Sequence, residues 1–376
     1  MDRSTPAVNH RRSGLPQAEV HGLWTHDGFR ILLTRYKGGT KGPVMLVHGV
    51  SVASSMFMLK TIDQNFVQYL AKEGYDVWLL DWRASIHLPL RQFTLDEAAR
   101  YDFPCAIDHI LKTAPATTIQ AVVHCVGSIA FFMSMSAGYL QGKVRCVAVS
   151  QVALHPHVGA IMQAKTRFGL AQNLRRLGME EVSPVPDPMY PIFSRLLRGY
   201  VNSVHHECRR TVCHRITFMF GHVYAHQNLN VETHEDLANQ FGPCNLMTLE
   251  HLEQAARLGY VAHFDYGLKE NLVKYGTEKP PSYVADASNF KDVKIKLVSG
   301  HDNRVFDRLS TEATFKWLKR NNPPGDNYKH KVIPHYGHWD NFAGYKANRD
   351  VYRAYLELLE GCAHKGAIPQ EASTAQ

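Results

Sequence analysis

The feature that most constrains the fold is a series of short, almost continuous apolar runs separated by helical patterns. Such runs, alternating with amphipathic helices, are typical of a parallel sheet that is covered on both faces. We therefore predict an α/β fold with a mostly parallel, doubly covered sheet, preceded by a hairpin at Leu23–Tyr36 that turns at Asp27–Gly28. The runs are PVMLVHG (Pro43–Gly49), DVWLLDW (Asp76–Trp82), IQAVVHC (Ile119–Cys125), VRCVAVSQVAL (Val144–Leu154), VKIKLVSG (Val293–Gly300) and KHKVIPHYGH (Lys329–His338).

The gap between Leu154 and Val293 is too long for a plain crossover, and its pattern is mostly helical. We interpret it as a helical cap inserted after the sixth strand, over the carboxyl ends of the strands, where open α/β sheets bind ligands. The predicted organisation is a core of residues 20–154 and 291–362, a cap of residues 155–290, and polar tails at residues 1–19 and 363–376.

Composition excludes several classes of function. The formal net charge is +8, but the basic residues are scattered, so we expect no nucleic-acid partner. No apolar run approaches the length of a membrane span, and the polar N-terminus lacks the apolar core of a secretion signal. The seven cysteines are odd in number and widely spread, which indicates reduced thiols and a cytoplasmic location. We expect no cofactor.

The stretch QAVVHCVGSIAF (Gln120–Phe131) reads as a buried strand, a tight turn and the start of a helix. In a nucleophile elbow the turn carries the attacking residue, here Cys125, and small residues are needed two positions before and after it. Gly127 meets this requirement and Val123 does not. The alternative is that Cys125 is a buried structural cysteine, because free cysteine is among the most buried residue types.

Other segments supply partners for such a nucleophile. After the early strand ending in His48, the backbone N–H of Val50 could donate to an oxyanion, together with the N–H of Val126. His338 follows the last strand in a loop, where the base of this architecture lies, and His335 is its local competitor.

The orienting acid should follow the penultimate strand, in VSGHDNRVFD. Asp302 is favoured by its charge and Asn303 by its position, and of the two we favour Asp302. Asn303 is not excluded, because a Cys–His pair can work with an asparagine. The chain order of Cys125, Asp302 or Asn303, and His338 is nucleophile, acid, base.

Four segments together carry a family resemblance that extends from about Val20 to Glu360. They resemble the acid-lipase branch of the α/β-hydrolase fold, and still more the hydrolase-type domains joined to GMC (cholesterol-oxidase-like) oxidoreductases. The segments are EGYDVWLLDWRAS, FTLDEAARYDFPCAIDHILKTA, VVHCVGS and GPCNLMTLEHLEQAARLGYVAHFDYG.

The resemblance implies roles for individual residues. Cys125 falls where acid lipases have their nucleophilic serine, and His338 falls on their histidine. Val50 falls on the oxyanion-loop residue. Asn303 falls on the lipase aspartate, with Asp302 adjacent, so the chain departs from the family pattern at both the nucleophile and the acid.

The cap is rich in apolar and aromatic residues, and we predict that it encloses an apolar pocket opening onto Cys125. The alternative is that these aromatics pack against one another and leave Cys125 facing an open groove. The predicted pocket residues are His155, Phe218, Phe220, Tyr224, Leu246 and Tyr260.

The cap also contains the run HHECRRTVCHR (His205–Arg215). Cys208 and Cys213, flanked by histidines, could bind zinc, but their spacing suits a closed site on one helix face poorly. We therefore expect a packed cap helix and no metal.

A cysteine nucleophile forms an enzyme thioester, which passes its acyl group readily to an amine, a thiol or a well-held alcohol. We therefore predict cysteine-dependent acyl transfer that releases or lactonises an acyl or polyketide chain, as in fungal polyketide thioesterase-cyclases, which the chain loosely resembles. The expected partner is an acyl thioester, possibly on an acyl carrier protein. The alternatives are a carboxylic-ester or lipid hydrolase, and a non-catalytic binding protein on a hydrolase scaffold.

Overall fold

A computed structural model of the chain describes residues 14–184, 210–322 and 324–363, together with Arg195, Gly199 and Cys208. Within these residues the strands have the following bounds: β1 Ala18–Trp24, β2 Arg30–Tyr36, β3 Pro43–Val47, β4 Asp76–Asp81, β5 Ile119–His124, β6 Val144–Ser150, β7 Glu181–Val182, β8 Cys244–Asn245, β9 Lys294–Gly300 and β10 Tyr328–Ile333.

One large sheet has the strand order β1-β2-β4-β3-β5-β6-β9-β10 in the described part of the chain. The pairs from β4 to β10 are parallel, whereas β1 and β2 form an antiparallel hairpin at one edge. The predicted mostly parallel sheet is therefore confirmed. The hairpin turns at Gly28, whose φ of 74° lies in the left-handed region that glycine adopts without strain.

Helices cover the sheet, and further helices lie between β6 and β9. In the described residues they are α1 Phe66–Lys72, α2 Leu95–Glu97, α3 Phe103–Thr113, α4 Val126–Ser136, α5 Ala160–Arg167, α6 Leu170–Arg176, α7 Thr211–Phe220, α8 Val231–Glu235, α9 Leu237–Gln240, α10 Leu246–Leu258, α11 Leu268–Tyr275, α12 Leu309–Asn321, α13 Asp340–Ala343, α14 Ala347–Asp350 and α15 Tyr352–Glu360.

The segment between β6 and β9 contains helices α5 to α11 and the two-stranded β7–β8 ribbon. Most of residues 185–209, within the predicted cap, lie outside the described residues, as do residues 1–13 and 364–376 of the predicted tails. Residues 18 and 19 of the predicted N-terminal tail belong to β1. Among the described helices, none is both long and apolar enough to cross a membrane.

The run Val144–Leu154 is shorter as a strand than its apolar pattern predicts. The strand β6 ends at Ser150, and the next three residues, Gln151, Val152 and Ala153, have positive φ values of 68°, 64° and 74°. The N–H of Gln151 donates to the carbonyl of Val298 on β9 at 2.8 Å, so the chain is held to the neighbouring strand as it turns. This unusual backbone leads the chain from the sheet into the segment between β6 and β9.

Candidate active site

Cys125 lies in the sharp turn between β5 and α4, with φ 56° and ψ −134°. A non-glycine residue at positive φ is strained, and such strain often accompanies a functional position. The turn is held by the N–H of Cys125, which donates to the Ser150 carbonyl at 3.0 Å, and by Ser128, whose Oγ donates to the Cys125 carbonyl at 2.6 Å. The predicted strand–turn–helix elbow is thus formed.

Two glycines allow the backbones around the elbow to approach closely. A Cβ on Gly127 would lie 2.2 Å from the carbonyl oxygen of His48, and a Cβ on Gly49 would lie 2.8 Å from the Cβ of Cys125. Val123, where a small residue is usual, is fully buried within the sheet and paired with Val47 on β3. The departure from a small residue at position 123 therefore does not prevent the turn.

The two predicted oxyanion donors lie at the Cys125 sulfur. Burial raises the pKa of the Cys125 thiol to about 12, against the lowering effect of hydrogen bonds from the backbone N–H groups of Val126 and Val50. Two N–H groups that converge on the attacking atom are also placed to stabilise an oxyanion that forms beside it.

His338 lies next to the cysteine. One ring nitrogen of His338, one of His124 and the Cys125 sulfur all lie within 4.8 Å of one another. Both ring nitrogens of His338 are buried and have no hydrogen-bond partner among the described residues. Burial lowers the pKa of His338 to about 3, so its imidazole is neutral at neutral pH. Its backbone N–H donates to the carbonyl of Val223, in the segment between β6 and β9, at 3.1 Å.

His124 is a member of this cluster that the sequence did not reveal. Its ring centroid is 4.8 Å from that of His338, and its Nδ1 lies 3.1 Å from the Ser150 hydroxyl, which Tyr355 also contacts at 2.9 Å. Burial lowers its pKa well below the usual value. In the sequence, only its position directly before the candidate nucleophile could have indicated His124. A histidine at the end of a strand is more often a structural residue packed in the core than a functional one.

The two candidate acids do not contact His338. Asp302 is half-exposed, and its Oδ1 lies 2.7 Å from Nδ1 of the neighbouring His301. The side chain of Asn303 is buried; its amide donates to Gln151 Oε1 at 2.8 Å, and its Oδ1 accepts from the N–H of Val305 at 3.0 Å. The expected hydrogen bond from one of them to His338 is therefore absent among the described residues, because each side chain is engaged locally.

We expect Asp302→Ala to change kcat/KM by less than about threefold, because the Asp302 carboxylate contacts His301 and not His338. Asn303→Ala should instead lower the free energy of unfolding by about 1–3 kcal/mol, because it leaves buried partners without hydrogen bonds. Steady-state kinetics and chemical denaturation measure the two effects. A loss of about 10² or more in kcat/KM for Asp302→Ala at unchanged stability would make Asp302 the orienting acid.

Gln151 and Asp340 hold the loop that carries His338, and neither was predicted. The buried Gln151 side chain donates to the Gly337 carbonyl at 3.1 Å. Asp340 accepts from the Gly337 N–H at 3.0 Å and from the Asn228 amide at 2.6 Å. These contacts fix the His338 loop to the end of β6 on one side and to the segment between β6 and β9 on the other.

An apolar cavity opens onto this cluster, with about 1180 Å³ of empty space including its open mouth. Helices α5, α6, α7 and α10 supply most of its walls. Of the predicted pocket residues, Phe218, Phe220 and Leu246 line it. The candidate active-site residues at its floor are Gly49, Val50, His124, Cys125, Val126 and His338.

The other three predicted pocket residues do not line the cavity. Nδ1 of His155 lies 3.1 Å from the Thr314 hydroxyl, and its ring packs against Trp317. Tyr224 is buried behind the wall against Trp339. Tyr260 follows the end of α10 and is half-buried outside the cavity. Apolar character predicted burial correctly for Tyr224 but could not give the direction of the ring.

Sequence and structure comparisons identify similar proteins over nearly the whole chain. Lipase member K of Mus musculus is 25% identical over 91% of this chain and 87% of its own length. Gastric triacylglycerol lipase of Bos taurus is 26% identical over 91% and 88%. A soluble variant of monoglyceride lipase from Saccharomyces cerevisiae superposes with a TM-score of 0.59 at 13% identity, covering 95% of this chain and 98% of that one. No family model matches the chain.

These similarities correct the predicted function. The relatives are named lipases, which contradicts the prediction of cysteine-dependent acyl transfer that releases or lactonises a carrier-bound chain, and favours the alternative of carboxylic-ester or lipid hydrolysis. That prediction follows from the slow reaction of thioesters with plain water. It does not take into account that a protein site can activate a water molecule for attack. The parallel sheet, its helical cover and the similar lipase structure show that this chain has the α/β-hydrolase fold.

Proposed function

We propose that this enzyme hydrolyses carboxylic esters of apolar acyl groups, lipid esters among them, with Cys125 as the nucleophile. The observation that carries the proposal is the apolar cavity whose floor holds Cys125, His338 and the two backbone N–H donors. An apolar cavity with a few convergent polar groups at one end matches an acyl chain attached to a reacting carbonyl. The lipase relatives support the same class of substrate.

In the acylation step, the sulfur of Cys125 attacks the ester carbonyl while His338 accepts the thiol proton. The carbonyl oxygen becomes an oxyanion that the N–H groups of Val50 and Val126 stabilise. The tetrahedral intermediate then collapses, its C–O bond to the alcohol breaks, and the imidazolium of His338 gives its proton to the leaving alkoxide. An acyl thioester on Cys125 and a free alcohol result.

In the deacylation step, water attacks the thioester carbonyl and loses a proton to a neutral imidazole. His338 and His124 both lie close enough to the sulfur to accept this proton, and burial keeps both rings neutral. Collapse of the second tetrahedral intermediate breaks the C–S bond, returns the proton to the sulfur and releases the carboxylic acid. Activation of water by a buried base is what allows a thioester to be hydrolysed here.

The cavity predicts how acyl-chain selectivity changes when its wall is altered. We expect Ala256→Phe, on the cavity wall in α10, to raise KM for long-chain esters by roughly tenfold or more, because it removes space for several methylenes worth about 0.8 kcal/mol each. Short-chain esters should be little affected. Leu258→Phe is a matched control, because Leu258 lies on the same helix but is 43% exposed. Equal effects of the two substitutions on long chains would contradict the assignment of the cavity to the acyl group.

The proposed function is tested with p-nitrophenyl esters from acetate to palmitate, assayed with the wild-type enzyme and with Cys125→Ala. We expect the wild type to hydrolyse the series with a preference for the longer, more apolar acyl chains, and we expect the variant to be inactive. A folded wild-type protein that hydrolyses none of these esters faster than the variant would contradict the proposal.

A further inference from the structure

Away from the active site, four side chains with metal-binding atoms converge between α7 and α8. One donor atom from each of Cys208, Cys213, His226 and His234 lies within 4.8 Å of the others. We propose that these four residues bind a zinc ion that has a structural role. The proposal does not depend on the ester hydrolysis proposed above.

The composition of the cluster selects zinc. Two cysteine sulfurs and two imidazole nitrogens form one of the common structural zinc sites, whereas magnesium and calcium prefer oxygen ligands. With zinc about 2.3 Å from sulfur and about 2.0 Å from nitrogen, tetrahedral coordination places the ligand atoms roughly 3.3–3.8 Å apart. The Cys213 sulfur and His226 Nε2 are already 3.3 Å apart. The remaining pairs of donor atoms lie no more than 4.8 Å apart.

The burial of the cluster also favours a bound ion. Cys213 is 1% exposed and His234 is 3% exposed, while Cys208 and His226 are half-buried. Nε2 of His234 is buried without a hydrogen-bond partner among the described residues. A buried imidazole nitrogen that makes no hydrogen bond lowers the stability of the fold. Coordination of a metal ion by this nitrogen would remove that cost.

The position of the cluster indicates what the ion would do. Cys213 lies on α7, which carries the cavity residues Phe218 and Phe220, and His234 lies on α8. The ring of Tyr224 packs against both histidines of the cluster, with centroids 5.3 Å from His226 and 6.3 Å from His234. The ion would therefore hold a wall of the cavity in place.

The same ion would also support the loop of the candidate base. The residue before Tyr224 is Val223, whose carbonyl accepts the backbone N–H groups of His338 and Trp339, and the Tyr224 ring packs on Trp339. Four protein ligands leave no open coordination position for substrate or water, so the site is structural rather than catalytic.

Two competing arrangements have to be separated by experiment. Cys208 and Cys213 are not joined by a disulfide here, but a disulfide between them would occupy the same place. In addition, His124, Cys125 and His338 form a second group of three possible ligands in the active site. The experiment therefore uses the full chain with Cys125→Ala, in which the active-site group has lost its sulfur.

This protein is produced in zinc-supplemented medium and purified with a reductant but without chelators, and its metal content is measured by mass spectrometry. We expect one zinc ion per chain. The additional substitutions Cys213→Ser and His234→Asn should each remove most of the zinc. Cys105→Ser is the matched control, because Cys105 lies on α3 outside both groups, and it should retain the ion.

A second measurement covers the case in which those variants do not fold. The reduced protein, stripped of metal by a chelator, is titrated with Co²⁺ and examined by absorption spectroscopy. We expect the visible bands of tetrahedral cobalt and thiolate-to-cobalt charge transfer at one equivalent. Zinc should also raise the Tm of the stripped protein, because a ligand that binds only the native state stabilises it.

Three results would overturn the proposal. The first is substoichiometric zinc in the purified protein together with no tetrahedral cobalt spectrum. The second is a Cys208–Cys213 disulfide in the protein purified without reductant, found by peptide mapping. The third is unchanged zinc in folded Cys213→Ser, which would place the ion elsewhere.

Discussion

Cys125→Ala is expected to lower kcat/KM for ester hydrolysis by about 10⁴–10⁶-fold, the range measured when a nucleophile that acts together with a base is removed. The fold should be retained, because alanine fits the space of the buried cysteine and β5 and α4 are held by their own hydrogen bonds. Steady-state kinetics and a thermal unfolding curve measure both properties. No acyl-enzyme should be visible by mass spectrometry of this variant after it is mixed with ester.

Two further cysteine substitutions sharpen this result. Cys125→Ser keeps a nucleophile at the elbow and should retain part of the hydrolytic activity, since the two N–H donors and His338 remain. Cys146→Ala removes another buried cysteine, on β6, and should leave turnover unchanged. Turnover by Cys125→Ala at the rate of Cys146→Ala would show that Cys125 is a structural cysteine.

The parts of the fold that depend on local patterns could be predicted from the sequence. Apolar runs identified the buried strands, and the elbow at Cys125 could be recognised because its turn chemistry lies within a few consecutive residues. The end of β6 could not be predicted in this way. Gln151 adopts positive φ because of contacts with Val298 on β9 and with Gly337, which are far away in sequence.

The candidate site shows the same limit. The distance of Asn303 from a strand end predicts that it orients the histidine. Its amide instead donates a hydrogen bond to Gln151, a residue about 150 positions earlier in the chain. The strand-end rule gives the position of a side chain but not its partner. For that reason the absence of a contact between His338 and either candidate acid, within the described residues, could not be anticipated from sequence.

The sequence prediction about the cysteine and histidine cluster considers only residues close to the cysteines in the chain. Two of the residues that complete the cluster lie further along the chain. The run at His205–Arg215 suggested His205, His206 and His214 as companions of the cysteines. His205 and His206 lie outside the described residues, and Nε2 of His214 lies 2.6 Å from the backbone carbonyl of Cys208. His226 and His234 enter the cluster only because the chain turns back after α7.

His338→Ala is expected to lower kcat/KM by about 10²–10⁴-fold, the usual contribution of a general base. The local competitor His335 provides a matched control, because it follows the same strand but is exposed to solvent. His335→Asn should leave kcat/KM unchanged, since asparagine tolerates the positive φ of 63° at that position. A larger loss for His335→Asn than for His338→Ala would reverse the assignment of the base.

The pH dependence of the wild-type enzyme tests the same base independently. His338 acts as a base only when its imidazole is neutral, and burial lowers its pKa to about 3, so this form is lost only as pH falls towards that value. Burial raises the pKa of Cys125 to about 12, so the thiol keeps its proton throughout the neutral range. We therefore expect kcat/KM to be constant between pH values of about 5 and 9, because neither group changes protonation there. An inflection near the ordinary histidine pKa of about 6.5 would contradict this expectation. It would mean that His338 is solvated and ionises before the reaction.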